Sequence, residues 1–153
     1  MKKYLKYIYL IIYILIISLI FMFALRDATE STTDSGRLTK LILSILKALN
    51  LEDNINANTL SMLVRKLIGH FGLFFVCGFF GINTFINFIK NKKQSIIINL
   101  ITGLLIAIIS ELLQLIPIGR SCQISDMLID YSGYLLICVI YIFIKRKSLV
   151  KIN

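Results

Sequence analysis

Charged and polar residues collect at the ends of apolar stretches, where their side chains could bind an anion or move a proton. They fall into three groups, namely Arg65, Lys66 and His70; Glu111, Gln114 and Arg120; and Asp126 and Asp130. Lys66 and His70 are four residues apart, as are Asp126 and Asp130, so each pair shares one face of a helix. Arginine suits bidentate binding of phosphate or carboxylate, whereas glutamate or histidine can act as a general base. The pattern indicates a ligand-binding site or a catalytic site.

Four apolar segments must position these residues. Hydrophobic residues make up 58% of the 153-residue chain, against about 45–50% in soluble domains. A transmembrane helix needs about 20 mostly apolar residues. The sequence therefore predicts an all-α integral membrane protein that forms a single domain over residues 1–153. Its predicted transmembrane helices cover residues 7–25, 67–89, 95–116 and 127–144, and a loop covers residues 26–64.

The first apolar segment could be a retained helix or a cleaved signal peptide. Lys2, Lys3 and Lys6 precede it, as basic residues precede the apolar part of a signal peptide. However, its apolar stretch exceeds the roughly 7–15 residues usual for such peptides, and no A-x-A-like cleavage site follows. We therefore expect a retained helix.

Basic residues predict the orientation of the chain. Both tails and the loop around Asn91 contain lysine and arginine but no acidic residue. Because such loops stay in the cytoplasm, we predict a multi-pass protein of the cell membrane with both termini cytoplasmic and residues 26–64 outside. The same distribution explains the formal charge of +9 without a nucleic-acid partner. These basic residues are Lys2, Lys3, Lys6, Lys90, Lys92, Lys93, Lys145, Arg146, Lys147 and Lys151.

The predicted outer loop contains an amphipathic helical pattern from Leu38 to Leu49. We expect Asp34 or Ser35 to cap the start of this helix, and Asn58 or Thr59 to cap the helix that leads into the second crossing. The amphipathic helix lies either on the outer membrane surface or against the outer ends of the other helices. Its apolar residues follow the i, i+3, i+4, i+7 spacing and are Leu38, Leu41, Ile42, Ile45, Leu46 and Leu49.

Glu111 is the most informative of the polar residues, because it lies inside an apolar run, roughly 9 Å of helix rise before Pro117. A charge at such a depth is costly and is usually functional or paired. A partner such as Arg65 or Arg120 would keep the carboxylate ionised. Two interpretations remain, an outward-facing functional site and an ion-paired plug that fixes helix packing.

Metal and cofactor signals are weak. His70, Glu111, Asp126 and Asp130 have side chains that can bind zinc, but no H-E-x-x-H spacing is present and basic residues lie nearby. We therefore expect neither a metal nor a cofactor. Ser121, Cys122 and Ser125 lack the spacing of a nucleophile elbow or a catalytic triad.

Small residues inside the apolar segments are predicted to serve packing. Cys77 and Cys138 lie in apolar runs and are expected to pack as small hydrophobic residues. Small residues also let membrane helices approach closely. The glycines expected to act in this way are Gly69, Gly72, Gly78 and Gly81.

The polar segments resemble motifs of the VanZ-like family of membrane proteins. The stretch Arg65 to Phe71 resembles the family's R-K-x-x-H-F motif, with three residues instead of two before the histidine. Glu111–Gln114, followed by Gly119-Arg120, resembles its E-x-x-Q and G-R elements. Asp126–Gly133 resembles D-x-x-x-N-x-x-G, with aspartate at position 130 where asparagine is common. The resemblance extends from Tyr4 to Phe143.

The family is named for a protein that gives low-level resistance to teicoplanin, a lipid-bearing glycopeptide antibiotic directed at cell-wall precursors. The resemblance implies a related resistance phenotype. It also implies membrane lipid, and a lipid-linked cell-wall precursor or glycopeptide, as partners. It does not supply a mechanism.

Three functions fit these residues. The favoured one is a cell-envelope binding protein in which Arg65, Lys66 and Arg120 contact an anionic ligand. The alternative is a membrane enzyme, a hydrolase or transferase on an envelope lipid, with Glu111 or His70 as general base. A transporter subunit fits less well, because the polar residues crowd one side of the membrane. The sequence leaves the ligand and the oligomeric state open.

Overall fold

The protein folds into helices throughout the part that the computed structural model describes. This part comprises the backbone of residues 2–49 and 56–150 and the side chains of residues 4–49 and 56–145. It contains no strand, so the predicted all-α class is confirmed for these residues. The helices are α1 (Lys2–Ala24), α2 (Ala28–Ala48), α3 (Ala57–Val64), a π-helical segment (Arg65–Gly72), α4 (Leu73–Phe88), α5 (Lys92–Leu113) and α6 (Ile124–Val150).

Within the described part of the chain, four stretches of helix are long and apolar enough to cross a membrane, as predicted. They are Tyr4–Ala24, Ala57–Phe88, Lys92–Leu113 and Ile124–Lys145. The second is a continuous helix of 32 residues, formed by α3, the π segment and α4. These helices support the prediction of a multi-pass membrane protein.

The continuous helix begins earlier than predicted, at Ala57. The predicted caps, Asn58 and Thr59, are wrong because both already lie inside the helix. Asn56 is the cap, and its side chain accepts hydrogen bonds from the backbone nitrogens of Asn58 at 2.9 Å and Thr59 at 3.4 Å. This is the usual way in which an asparagine satisfies the free N–H groups of a first turn.

The predicted loop over residues 26–64 is largely helical, and α2 begins at Ala28 instead of near Leu38. The predicted cap at Asp34 or Ser35 is therefore wrong. Asp27 holds the N-cap position without a side-chain bond to the helix. Its carboxylate instead accepts a hydrogen bond from the backbone nitrogen of Ile118 at 3.1 Å. Hydroxyl side chains inside α2 donate to carbonyls of the preceding turn, which lets these polar residues remain helical.

The apolar core lies where α4 packs against α1, α5 and α6. The predicted packing of Cys77 and Cys138 as small hydrophobic residues is confirmed, because both are free thiols that are fully buried. The most deeply buried members of this core are Phe74, Cys77, Ile82, Ala107, Tyr134 and Cys138.

The predicted packing role of the glycines is confirmed for only two of the four. A β-carbon on Gly78 would collide with α6, and one on Gly81 would collide with side chains of α1, α5 and α6. The prediction is wrong for Gly69 and Gly72. A β-carbon at either position would have only an atom of its own helical segment within 4 Å.

A chain of buried hydrogen bonds crosses the core. The hydroxyl groups of Tyr13 and Tyr134 are 3.1 Å apart, and Tyr134 donates to Asn99 Oδ1 at 2.6 Å. Asn99 Nδ2 donates in turn to Cys138 Sγ at 3.1 Å. Because buried polar groups need partners, this chain ties α1, α5 and α6 together in a fixed arrangement.

Candidate functional site

The eight polar residues selected from the sequence lie at one end of the helical bundle, and we call them the polar cluster. Four parts of the chain position them. The π segment carries Arg65, Lys66 and His70; the end of α5 carries Glu111 and Gln114; the α5–α6 loop carries Arg120; and the first turns of α6 carry Asp126 and Asp130.

Glu111 is fully buried, yet both of its carboxylate oxygens accept hydrogen bonds. Oε1 accepts from Gln114 Nε2 at 2.6 Å, and Oε2 accepts from the backbone nitrogen of Gln123 at 3.0 Å. The expectation of a direct ion pair with Arg65 or Arg120 is wrong for the described structure, in which amide N–H groups satisfy the carboxylate instead. Neutral N–H donors therefore offset part of the burial cost, and the basic side chain of His70 lies close by, with Nδ1 4.0 Å from Oε1.

Arg120 connects this carboxylate to the first helix. Its guanidinium donates to Gln114 Oε1 at 2.6 Å, to the Phe23 carbonyl at 3.2 Å and to the Arg26 carbonyl at 3.4 Å. Gln114 thus relays between Arg120 and Glu111. Burial, followed by the nearby positive charge of Arg65, lowers the pKa of Arg120.

The π segment and α6 face each other through two pairs of residues. Lys66 Nζ donates to Asp126 Oδ1 at 2.8 Å. His70 Nδ1 lies 3.0 Å from Asp130 Oδ1, and its Nε2 lies 3.7 Å from Asp126 Oδ2. Lys66 and His70 are four residues apart, as are Asp126 and Asp130, so each basic residue meets one aspartate. These contacts fix the register of α6 against the π segment.

His70, Glu111 and Asp130 are the only group in the described residues whose donor atoms lie close enough together for a metal ion to be considered. Three of these atoms are within 4.8 Å of one another. However, Glu111 Oε1 already accepts from Gln114, and Asp130 Oδ1 lies at hydrogen-bond distance from His70. Zinc would require bonds of about 2.0–2.2 Å, so these contacts would have to be replaced. The absence of a metal therefore stays a prediction.

A cavity of about 540 Å³ lies beside the polar cluster. Its volume is within the roughly 300–1,000 Å³ usual for ligand pockets. Among the described residues, four arginines and two carboxylates line it, so arginine predominates among the charged groups of its wall. The apolar part of the wall is formed by Ile20, Phe23, Ala24, Leu38, Val64, Ile68, Leu73 and Phe74; the polar part includes Arg26, Asp34, Arg37, Arg65, His70, Gln114, Arg120 and Asp130.

Several residues of this region were not selected from the sequence. Arg26 forms an ion pair with Asp34 of α2, and both line the cavity. Their position just after the first apolar segment was the only available signal. Gln123 contacts Glu111 through its backbone, so no residue type could have revealed it. Ser125 Oγ lies 3.2 Å from Asp126 Oδ1.

Comparison with known proteins identifies the family. No curated protein and no solved structure matches the chain significantly. A family model described as VanZ/LLP1 matches residues 8–145, which is most of the chain. The matched range includes all four candidate transmembrane helices except the first few residues of α1, and the whole polar cluster. The chain therefore belongs to the VanZ/LLP1 family.

Proposed function

We propose that this membrane protein binds an anionic ligand of the cell envelope in the cavity beside the polar cluster. Through that binding it contributes to low-level resistance to teicoplanin-type glycopeptides. The observation that carries the proposal is the excess of arginine over carboxylate among the described residues that line a cavity of about 540 Å³. Arginine combines a permanent charge with the planar fork that matches phosphate and carboxylate.

The proposal includes an orientation. Both termini lie in the cytoplasm and the polar cluster faces outward, where cell-wall precursors are exposed. The support is the predominance of lysine and arginine in the N-terminal tail, the loop after α4 and the C-terminal tail. In the C-terminal tail, residues 146–153 lie outside the described side chains.

Helix α2 would then lie on the outer face of the membrane. Its apolar side chains are poorly covered by the rest of the protein, with Leu38 44%, Leu41 59% and Ile45 51% exposed. Lipid contact would remove this surface from water. In that position α2 would form one wall of the cavity at the membrane surface, because Ser31, Ser35 and Leu38 line it.

Teicoplanin susceptibility tests the function. A sensitive host would express the wild-type protein, Glu111→Gln and Arg120→Ala, with Lys93→Gln as a control of equal charge change at the opposite end of the bundle. We expect the wild type and Lys93→Gln to raise the inhibitory concentration. We expect Arg120→Ala to lose the effect, because Gln114 then loses its cation. We expect Glu111→Gln to lose it, because one of the two accepting oxygens becomes an NH₂ group, which cannot accept a hydrogen bond.

The amount of each variant in the membrane decides between a binding site and a packing plug. Loss of resistance at wild-type membrane levels supports a function in the polar cluster. Loss of folded protein in every cluster variant favours the plug. If the wild-type protein is well expressed and teicoplanin susceptibility does not change, the proposed role in resistance is wrong.

A further inference from the structure

Arg65 differs from the other cations of the polar cluster. Lys66 is paired with Asp126, and Arg120 is bonded to Gln114. Among the described residues Arg65 forms no ion pair, and its Nε atom is buried without a hydrogen-bond acceptor. Leaving a buried donor unsatisfied is unfavourable. Arg65 is therefore placed to receive an anion that the described residues do not provide.

Arg65 also lines two cavities of different character. The larger one is the cavity of about 540 Å³, whose wall includes Ile20, Phe23 and Ile68. The second is about 220 Å³, and its lining is rich in hydroxyl and amide groups. Apolar walls suit a hydrocarbon chain, whereas hydroxyl and amide groups suit a polar headgroup. The second cavity is lined by Thr32, Ser35, Asn58, Ser61, Met62 and Arg65.

A second positive charge faces the same region. Arg120 lines the larger cavity with Arg65, and the charge of Arg65 contributes to the lowered pKa of Arg120. The two guanidinium groups therefore repel each other. A bound anion would relieve this repulsion and could form charge-assisted hydrogen bonds with Arg65.

The arrangement of the cavities distinguishes a phosphodiester from a carboxylate. A carboxylate carries one substituent and ends a molecule, whereas a phosphodiester carries a substituent on each side of its charge. We propose that the ligand is a phosphodiester amphiphile, with its phosphate at Arg65, its hydrocarbon chain in the larger cavity and its polar headgroup in the smaller one. This inference rests on the proposed function for the existence of a ligand and adds its chemical class.

Binding to the full-length protein in a nonionic detergent tests the proposal, with native mass spectrometry as the measurement. The probe is lauroyl lysophosphatidylglycerol, compared with monolaurin, which lacks the phosphate, with laurate, and with inorganic phosphate. We expect the phosphodiester to bind about tenfold more tightly than monolaurin or laurate, because charge-assisted bonds to Arg65 add to chain contacts. Equal binding of monolaurin or laurate, or binding of inorganic phosphate alone, would overturn the proposal.

Two variants address the phosphate and the chain separately. Arg65→Gln should reduce binding of the phosphodiester to the level of monolaurin, whereas Lys40→Gln, an equal charge change on α2, should leave it unchanged. Gly69→Leu adds a side chain to the wall of the larger cavity, and only Arg65 Cγ, at 4.0 Å, lies near the new β-carbon. It should therefore fold and weaken binding of both lauroyl probes. Wild-type binding by a folded Gly69→Leu or Arg65→Gln protein would contradict the proposal.

The outcome separates this inference from the proposed function. If phosphodiester binding depends on Arg65 but the protein has no effect on teicoplanin susceptibility, the inferred ligand class stands and the resistance role is wrong. Resistance that survives in Arg65→Gln, with no preference for the phosphodiester in the wild type, would overturn the ligand class alone.

Discussion

The buried carboxylate of Glu111 illustrates how this protein stabilises a charge within a helical bundle. A carboxylate does not require a cation in direct contact when N–H groups point at both of its oxygens, because each hydrogen bond offsets part of the lost hydration. Here the side chain of Gln114 and the backbone of Gln123 supply these groups. The cation, Arg120, lies one residue further along the network.

Among single residues, Gln114 is therefore expected to contribute strongly to the stability of the fold. Gln114→Leu removes one of the three acceptors of Arg120 and one donor of Glu111. We therefore expect a loss of about 1–3 kcal/mol in the free energy of unfolding. Gln94→Leu, at the exposed start of the same helix, should change it by less than about 0.5 kcal/mol. Thermal or denaturant unfolding of the detergent-solubilised protein provides the measurement. Similar losses in both variants would show that the relay through Gln114 is not important for stability.

The π segment is the element that brings Lys66 and His70 into contact with α6. π-helices are rare, and their hydrogen bonds run from residue i to i+5. A turn of this kind accommodates one more residue than an α-helical turn. The chain has one residue more between Lys66 and His70 than the family motif that it resembles. The π segment accommodates this residue while both side chains still reach Asp126 and Asp130.

The packing of one helix on another requires glycine at position 133, because α6 lies very close to the π segment there. A β-carbon at this position would collide with the backbone carbonyl of Phe71, which cannot rotate away as a side chain would. Gly133→Ala should therefore reduce the free energy of unfolding by roughly 1–3 kcal/mol, the usual cost of overpacking. It should also weaken the contacts of Asp126 and Asp130, because α6 must shift.

Gly36→Ala is the matched control, since nothing lies within 4 Å of a β-carbon at Gly36 in α2. Alanine has the higher helix propensity, so this variant should be more stable by up to about 1 kcal/mol. Thermal unfolding of both variants checks the pair. A Gly133→Ala protein as stable as Gly36→Ala would contradict the close packing of α6 on the π segment.

At the scale of the whole molecule, the polar cluster occupies one end of a bundle whose remaining surface is largely apolar. The outward-facing side chains of the candidate transmembrane helices include many exposed leucine, isoleucine and phenylalanine residues. Lipid contact accounts for this exposure, because a water-soluble protein of this kind would leave a very large apolar surface in water. The direction in which the polar end faces is a prediction based on the basic residues.

The native cysteines offer a direct test of that direction. Cys77 and Cys138 are buried, whereas Cys122, in the α5–α6 loop, is partly exposed. A membrane-impermeant maleimide should therefore label Cys122 on intact cells if the polar end faces outward, and Cys122→Ser should abolish the labelling. In the Cys122→Ser background, a thiol introduced by Lys90→Cys at the opposite end should react only after lysis. The reverse pattern would invert the proposed orientation.

The sequence by itself determined the class of this protein and the residues of its candidate site. A long apolar segment that crosses a membrane must form a helix, because lipid offers no hydrogen-bond partners. In a helix, the backbone N–H and C=O groups bond to each other within the segment. Polar residues such as Glu111 and His70 at the ends of such segments are conspicuous, because their burial is costly. Neither inference required knowledge of how the helices pack.

Tertiary structure alone decided which of these residues contact one another. The direct cation expected for Glu111 is replaced by Gln123, a loop residue whose backbone direction depends on how the α5–α6 loop folds. The ion pair of Arg26 with Asp34 depends on where α2 lies. Residues far apart in sequence meet only after packing has fixed the helix positions, so local sequence patterns cannot determine these contacts.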